Sequence, residues 1–254
     1  MSDRIRELEA LLETALDRRE RIDTLNALAW ELRHSDIHRA LALSEEAQQL
    51  ACEGDHEQQP YQKGLAESLR NMGWIYLQLS QYQLALSLSL EALSLFEELD
   101  DPAGKVSALV TIGQVHFDLG NYPYALESQL EALRTSESIG DKGNAATSLN
   151  LIGMVYQRTG DYSAALSHFR RGWHIFREIG DKSGEANTLA KMSLAFREQG
   201  DLKNALGCGV RSLQIYVEIG ARRGEAEALQ AVGEIYRDLG NEAQALSCFR
   251  RSFE

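Results

Sequence analysis

The chain has 254 residues, of which 44% are hydrophobic and 25% are charged, and its formal net charge at pH 7 is −12. This acidic balance argues against nucleic acid as the main partner, because proteins that bind nucleic acids present a basic face. No run of about 18 apolar residues occurs, so the sequence predicts no membrane span. The charged, amphipathic start MSDRIRELEALLE is unlike a secretory signal.

The first predicted element is an amphipathic helix over residues 2–17. Its apolar face comprises Ile5, Leu8, Leu11, Leu12, Ala15 and Leu16. No second helix of its own follows, so we interpret residues 1–19 as an N-terminal cap helix. Repeat arrays need such caps because their end units otherwise expose apolar faces.

Residues 20–53 predict a degenerate helix hairpin. Ala29-Trp30 stands where the next hairpin has Gly73-Trp74, and Asp36 is placed to cap the second helix. Residues 54–60 are polar and end in a proline, and we predict a flexible loop there.

From residue 61 onwards the chain repeats with a period of 40 residues. Gly153 has counterparts at Gly73, Gly113 and Gly233, and Ser193 stands at the remaining position. A fixed period between about 20 and 50 residues is typical of repeat arrays. Each unit holds two apolar-periodic runs around a turn, without period-2 alternation. We therefore predict one all-α solenoid over 1–254 with about six hairpins, the last five being 61–100, 101–140, 141–180, 181–220 and a truncated 221–254.

The turns share one local device. In Gly160-Asp161 and Gly200-Asp201, we expect glycine to adopt the left-handed conformation that ends one helix. The aspartate is then placed to cap the next helix. Gly140-Asp141 and Gly180-Asp181 predict the same arrangement between hairpins.

The cysteines bear on the cellular compartment. Cys208 and Cys248 lie one period apart, and so at equivalent places in successive repeats. Neighbouring helices pack roughly 8–10 Å apart, which exceeds the Cα separation of about 7 Å that a disulfide tolerates. Together with Cys52 they predict free thiols, a reducing compartment and a cytoplasmic protein.

A fixed set of small and large residues recurs in the hairpins. In the 141–180 unit the set is Leu149, Ile152, Gly153, Tyr156, Ala165 and Phe169. This pattern resembles the tetratricopeptide repeat, and the 40-residue period with Gly-Asp turns resembles its lengthened LGN/Pins-type subclass. The resemblance covers residues 20–254 and departs from the family at Ser193, Gln129 and Gly209. The first hairpin, LNALAWELRHSDIHRALALSEEA, resembles the leading repeat of such segments placed ahead of output domains in bacterial signalling proteins.

The resemblance implies a right-handed superhelix whose concave groove binds a helical or extended peptide. We call Gly153 and its counterparts, including Ser193, the marker positions. The groove positions lie on the first helix of each hairpin, six and three residues before the marker and one and four residues after it. Among these positions the candidate groove residues are Arg70, Trp74, Leu77, Val110, Gln114, Phe117, Asn150, Met154, Gln157, Leu194, Arg197, Gln230, Glu234 and Arg237.

No catalytic, cofactor or metal site is predicted. His34 and His38 have the i,i+4 spacing of a metal-binding pair, but they straddle a predicted turn and lack a third ligand. The chaperone-tail branch of the family clamps a carboxylate with Lys and Asn. This chain has no Lys/Asn pair at the matching positions, so we do not expect that activity.

These features favour a non-enzymatic scaffold that binds a protein or peptide, as the sensor or regulatory part of a bacterial signalling protein. One alternative is a free-standing adaptor that forms a homodimer through an uncovered C-terminal hairpin. Another is the regulatory segment of an enzyme whose catalytic domain lies beyond residue 254.

Overall fold

The computed structural model describes residues 3–14, 17–53 and 60–253, and within these ranges the chain forms thirteen helices and no strand. The helices, in chain order, are α1 (Asp3–Leu12), α2 (Arg18–Leu32), α3 (Ile37–Cys52), α4 (Gln62–Gln78), α5 (Tyr82–Glu98), α6 (Pro102–Asp118), α7 (Tyr122–Ile139), α8 (Lys142–Arg158), α9 (Tyr162–Ile179), α10 (Lys182–Glu198), α11 (Leu202–Glu218), α12 (Arg222–Asp238) and α13 (Glu242–Arg251). The predicted all-α hairpin architecture is confirmed.

The helices are grouped into two compact units, Met1–Ile139 and Gly140–Glu254. The first unit contains the hairpins α2/α3, α4/α5 and α6/α7, and the second contains α8/α9, α10/α11 and α12/α13. The single solenoid over 1–254 stays a prediction. We call the first helix of each hairpin its A helix and the second its B helix.

The A helices form the inner layer of each unit. In the first unit α2 contacts α4 and α4 contacts α6, and in the second α8 contacts α10 and α10 contacts α12. Among the described residues, no two B helices approach one another in this way. Because the A helices lie closer together than the B helices do, the A-helix side of each unit is the inner side of its curvature.

Helix α1 packs on the first hairpin. Ile5 and Leu8 are buried in a cluster with Leu28 and Ile75, whereas Leu11 is exposed. The helix ends at Leu12, earlier than the prediction of residue 17. Of the other predicted face residues, Ala15 and Leu16 lie outside the described residues, as do positions 54–59 of the predicted loop.

The predicted left-handed glycines and the aspartate caps that follow them are confirmed. Gly160 has φ 86° and Gly200 has φ 87°, both in the left-handed region that glycine adopts without steric cost. Asp161 then accepts a hydrogen bond from the Ala164 backbone N–H at 2.9 Å, which caps α9. Ser80 and Asp100 adopt the same left-handed conformation without being glycine, with φ 58° and 52°.

The A and B helices of each hairpin approach each other at the marker position. A Cβ atom on Gly153 would lie 2.6 Å from the Phe169 ring, so the absence of a side chain there makes room for the aromatic ring. Ser193 faces Gly209, and its hydroxyl donates to the Ala205 carbonyl at 2.7 Å. These two departures from the repeat pattern therefore compensate for each other, because at this contact the side chain is on the A helix and the glycine is on the B helix.

Within the described ranges, no helix is both long enough and apolar enough to traverse a bilayer. The three cysteines, Cys52, Cys208 and Cys248, are free thiols.

Candidate functional site

All fourteen candidate groove residues lie on A helices. We call the six on α4 and α6 the first-unit row and the eight on α8, α10 and α12 the second-unit row. The first-unit row consists of Arg70, Trp74, Leu77, Val110, Gln114 and Phe117. The second-unit row consists of Asn150, Met154, Gln157, Leu194, Arg197, Gln230, Glu234 and Arg237.

Three of the fourteen side chains are covered by their neighbours. Leu77 is 6% exposed and packs with Val115 of the next A helix, and Phe117 is 8% exposed with its ring 5.8 Å from that of Tyr122. Asn150 is 7% exposed. These side chains are buried in the packing of the hairpins, and their assignment to a peptide-binding groove stays a prediction.

Asn150 joins two A helices inside the second unit. Its amide Nδ2 donates to the Thr188 hydroxyl of α10 at 2.8 Å. The Thr188 hydroxyl in turn donates to the Gly184 carbonyl at 2.8 Å. The polar side chain that suggested ligand recognition is therefore a buried link between consecutive hairpins.

Polar residues four positions after the marker connect consecutive hairpins in the second unit. Gln157 donates from Nε2 to Glu198 at 2.7 Å. Arg197 donates from Nε to Asp238 at 2.6 Å and also pairs with Glu234. The hydrogen bond between Arg197 and Asp238 raises the pKa of the guanidinium and lowers the pKa of the carboxyl. These residues already have partners within the unit.

The side chains that remain available are mainly apolar or uncharged. In the second-unit row Leu194 is 45% exposed and Met154 is half-buried, while Gln230 is exposed. In the first-unit row Val110 is half-buried, and Gln114 is half-buried and donates to Asp118 at 2.8 Å.

An aromatic and cationic cluster lies at the start of the first-unit row. The Trp74 ring lies edge-on to Trp30 of α2, with 6.3 Å between the centroids and 69° between the planes. The Arg33 Cζ lies 3.8 Å from the Trp30 centroid, and the Arg70 Cζ lies 4.7 Å from it. His34 contacts Trp74 edge-on at 4.7 Å. We call Trp30, Arg33, Arg70 and Trp74 the Trp–Arg cluster.

Trp30 and Arg33 were missed from the sequence although the signal was present. Ala29-Trp30 aligns with Gly73-Trp74, so the positions one and four after the marker in the first hairpin are Trp30 and Arg33. This hairpin has alanine instead of glycine at the marker position, so its groove positions were not included among the candidates.

Burial dominates the electrostatics of the cluster. It lowers the pKa of Arg33, and the neighbouring Arg70 adds to that shift while Glu31 opposes it. Burial likewise lowers the pKa of Arg70, against the pull of Glu67 and Asp101. A guanidinium stays protonated at any physiological pH. The cluster therefore holds two partly desolvated positive charges.

The half-buried carboxyl of Glu67 and the exposed imidazole of His34 border these charges. Burial raises the pKa of Glu67, which lies one turn before Arg70 on α4, while Arg70 and Lys63 oppose that shift. Burial also lowers the pKa of His34, with Arg33 adding to the effect. His34 is accordingly a neutral aromatic neighbour at pH 7.

A family comparison identifies the repeat. The family model described as "Tetratricopeptide repeat" matches residues 105–178 and 184–254, which together make up more than half of the chain.

Solved structures share the helical fold. The apo form of RapI is 17% identical, with 94% of this chain and 97% of that chain covered at a TM-score of 0.68. The apo form of the quorum sensor NprR from B. thuringiensis is 15% identical, with 97% and 68% covered and a TM-score of 0.74. The Rap conjugation gene regulator of the plasmid pLS20, in complex with the Phr* peptide, is 14% identical, with 95% and 76% covered and a TM-score of 0.69. At these identities the similarity concerns the fold. A comparison with curated proteins finds no match.

Proposed function

The chain belongs to the tetratricopeptide repeat family, and on that premise we propose that it is a non-enzymatic scaffold whose A-helix faces bind a peptide segment of a partner protein. One observation carries the proposal: each inner face presents large apolar side chains that are not fully buried in the hairpin cores. Trp74 and Val110 are half-buried there in the first unit, as is Met154 in the second, where Leu194 is exposed. Partly exposed apolar side chains on a concave helical surface suit the apolar positions of a helix or an extended peptide.

We further propose that the scaffold is the sensor or regulatory part of a bacterial signalling protein. Two of the similar structures support this by their own descriptions, since NprR is a quorum sensor and the Rap regulator of pLS20 is in complex with the Phr* peptide. The free thiols of Cys52, Cys208 and Cys248 support a cytoplasmic location. The net charge of −12 supports a partner other than nucleic acid.

The proposal is tested by peptide selection followed by variant analysis. A library of random displayed peptides is selected against the 254-residue protein, and the selected peptides are synthesised. Their affinities are then measured for the wild-type protein, for Trp74→Ala in the first-unit row and for Leu194→Ala in the second-unit row. We expect at least a tenfold loss of affinity in one of these variants for each groove-binding peptide, because truncating an aromatic or apolar anchor removes a large part of the binding energy.

A matched control separates the inner face from the rest of the surface. Leu90 is an exposed apolar residue on the B helix α5, so Leu90→Ala removes comparable chemistry outside the A-helix face. Helical content and melting temperature are recorded for every variant. Binding at the A-helix faces would be contradicted if Trp74→Ala and Leu194→Ala both bind the peptides with wild-type affinity. It would also be contradicted if Leu90→Ala loses as much affinity as these two variants do.

Self-association is the second candidate function. Phe253 is 86% exposed, and Leu246 on α13 is exposed as well, so the last hairpin presents apolar side chains to solvent. Exposed apolar patches often mark protein interfaces. We expect a molecular mass that rises with concentration in light scattering, and Leu246→Glu should abolish that rise. A constant monomeric mass at high concentration would eliminate this candidate.

A further inference from the structure

The charged residues are distributed unevenly between the two units. Residues 1–139 contain 24 acidic and 11 basic side chains, whereas residues 140–254 contain 14 acidic and 15 basic ones. The net charge of −12 therefore originates in the first unit, and the second unit is nearly neutral. The same contrast is found on the B helices, which form the outer side of each unit.

One position of the B helices carries opposite charges in the two units. Its counterparts are 40 residues apart and all exposed, and they are Glu91, Glu131, Arg171, Arg211 and Arg251. The two glutamates lie on α5 and α7 of the first unit, and the three arginines lie on α9, α11 and α13 of the second. A further position follows the same rule, with Glu97 and Glu137 in the first unit and Arg177 in the second.

The exposed side of α5 and α7, which we call the acidic face, has an excess of carboxylates. Its charged residues are Glu91, Glu97, Glu98, Glu127, Glu131, Arg134 and Glu137. Lys105 of α6 pairs with Glu97 at 2.8 Å and with Glu131 at 2.6 Å. Within the described residues Glu91 and Glu127 have no ion-pair partner. The Tyr124 side chain on α7 is 62% exposed, so the acidic face also presents an aromatic ring.

The exposed side of α9 and α11, which we call the basic face, has an excess of cations. Its charged residues are Arg170, Arg171, Arg177, Glu178, Lys203, Arg211 and Glu218. Glu178 pairs with Lys142 at 2.7 Å. Arg177 and Arg211 have no ion-pair partner in the part of the chain that the structure describes. The positive charge of Arg170 extends its influence to α11, where it opposes the burial that raises the pKa of Cys208.

We propose that the acidic face of one copy of this chain binds the basic face of a second copy. The glutamates of one face and the arginines of the other are each spaced by one hairpin of the same 40-residue repeat. Several charges can therefore pair at once, with Glu91 and Glu131 opposite arginines of two successive B helices. Arginine and carboxylate form charge-assisted hydrogen bonds in a planar, two-point geometry. An arginine can also stack on the exposed ring of Tyr124.

A second copy is the occupant that the charge pattern favours. A partner for the basic face needs several carboxylates at hairpin spacing, and the acidic face supplies them on a folded surface. Because every copy carries both faces, the contact can be made twice in a two-fold dimer or once per step in an open chain. The net charge of −12 opposes association. At about 0.1 M ionic strength, however, the Debye length is about 10 Å, so contacts between neighbouring charges outweigh repulsion between distant ones.

This surface differs from the two already proposed. Peptide binding concerns the A-helix faces, and the second candidate function concerns the exposed apolar side chains of the last hairpin. The B-helix contact is electrostatic, so it should weaken as salt is added, whereas an apolar contact through α13 should not.

Sedimentation equilibrium of the 254-residue protein tests the salt dependence without any variant. Between about 0.1 M and about 1 M ionic strength the Debye length falls from about 10 Å to about 3 Å. We expect the dissociation constant of the self-associated form to rise about tenfold or more over this range. A protein that stays monomeric at high concentration and about 0.1 M ionic strength refutes the proposal, as does an association that added salt leaves unchanged.

Charge reversal then identifies the two faces. Glu91→Arg with Glu127→Arg gives a variant whose faces are both basic, and Arg177→Glu with Arg211→Glu gives one whose faces are both acidic. All four side chains are exposed, and circular dichroism records the helical content of each variant. Each variant alone should associate at least tenfold more weakly than the wild-type protein. An equimolar mixture of the two should associate again, because each variant now complements the other.

The matched control is Lys63→Glu with Arg222→Glu, which makes the same change in net charge on exposed residues of the A helices α4 and α12. This control should associate like the wild-type protein, and an equal loss in it would refute the assignment to the B-helix faces. A mixture of the two charge-reversed variants that remains monomeric refutes the proposal. So does an association that Leu246→Glu abolishes and charge reversal leaves intact. Peptide affinity in Trp74→Ala and Leu194→Ala is measured separately, so each proposal can fail without the other.

Discussion

The same substitution, glycine to alanine, should have opposite effects at two helical positions of the second unit. Gly153 in α8 faces Phe169 of α9, and an added Cβ would lie 2.6 Å from Cε1 and 2.7 Å from Cδ1 of the ring. Phe169 is fully buried, so its ring has no solvent-filled space into which it can move. Gly207 in α11 is exposed, and an added Cβ there meets nothing within 4 Å.

The magnitudes follow from these surroundings. Overpacking a core typically costs about 1–3 kcal/mol, and replacing a helical glycine by alanine gains up to about 1 kcal/mol. For Gly153→Ala we therefore expect a net destabilisation of about 1 kcal/mol. For Gly207→Ala only the backbone term remains, and we expect a stabilisation of about 0.4–1 kcal/mol.

Urea unfolding followed by far-ultraviolet circular dichroism measures both effects. The urea midpoint should fall in Gly153→Ala and rise in Gly207→Ala, and the free energies of unfolding of the two variants should differ by about 1.4–2 kcal/mol. A double-mutant cycle tests the cause, because Phe169→Leu removes the ring that the new Cβ meets. The destabilisation by Gly153→Ala should be smaller in the Phe169→Leu background.

Two results would refute this reasoning. If both alanine variants shift the midpoint in the same direction, close approach at the marker position does not control stability. If Gly153→Ala destabilises the protein equally with and without Phe169→Leu, the contact with the ring is not the cause.

Three further predictions concern the second unit. Arg197→Gln should lower its stability by about 0.5–1 kcal/mol through loss of two ion pairs between hairpins, whereas Arg237→Gln, which loses only a 3.9 Å contact, should leave the urea midpoint unchanged. Asn150→Ala should destabilise the protein by about 1 kcal/mol in the same assay because it removes the buried bond to Thr188, and an unchanged midpoint would mean that this link is not stabilising. Burial lowers the pKa of His168, so the unfolded chain takes up the proton first and stability should fall as the pH drops below about 6.5. His168→Gln should flatten melting temperature against pH in that range, and an unaltered slope would exclude His168 as the cause.

Much of the fold could be predicted because helix ends are decided locally. The left-handed glycines at Gly160 and Gly200 and the cap at Asp161 depend on residues within a few positions of one another. The hairpin predicted over 141–180 is found as α8 (Lys142–Arg158) and α9 (Tyr162–Ile179). The exception is α1, whose amphipathic pattern continues past the last helical residue, Leu12.

The candidate site was predicted less well because burial depends on the following hairpin. The repeat register places Leu77 and Asn150 on A helices, as expected. The solvent exposure of these two side chains depends on their contacts with Val115 and Thr188, which lie 38 positions further along the chain. The same holds for Arg197, a predicted groove cation, which forms an ion pair with Asp238 of the following hairpin.

The sequence by itself determined that the chain is a series of helix hairpins and on which helix of each hairpin the candidate groove residues lie. Periodicity and turn chemistry act over a few residues, and both can be read directly. Only the tertiary structure decided that Ser193 and Gly209 compensate for each other and that Trp30 and Arg33 of one hairpin meet Arg70 and Trp74 of the next. Packing between hairpins brings together residues about 40 positions apart, and the fit of their volumes and charges exists only once both hairpins are in place.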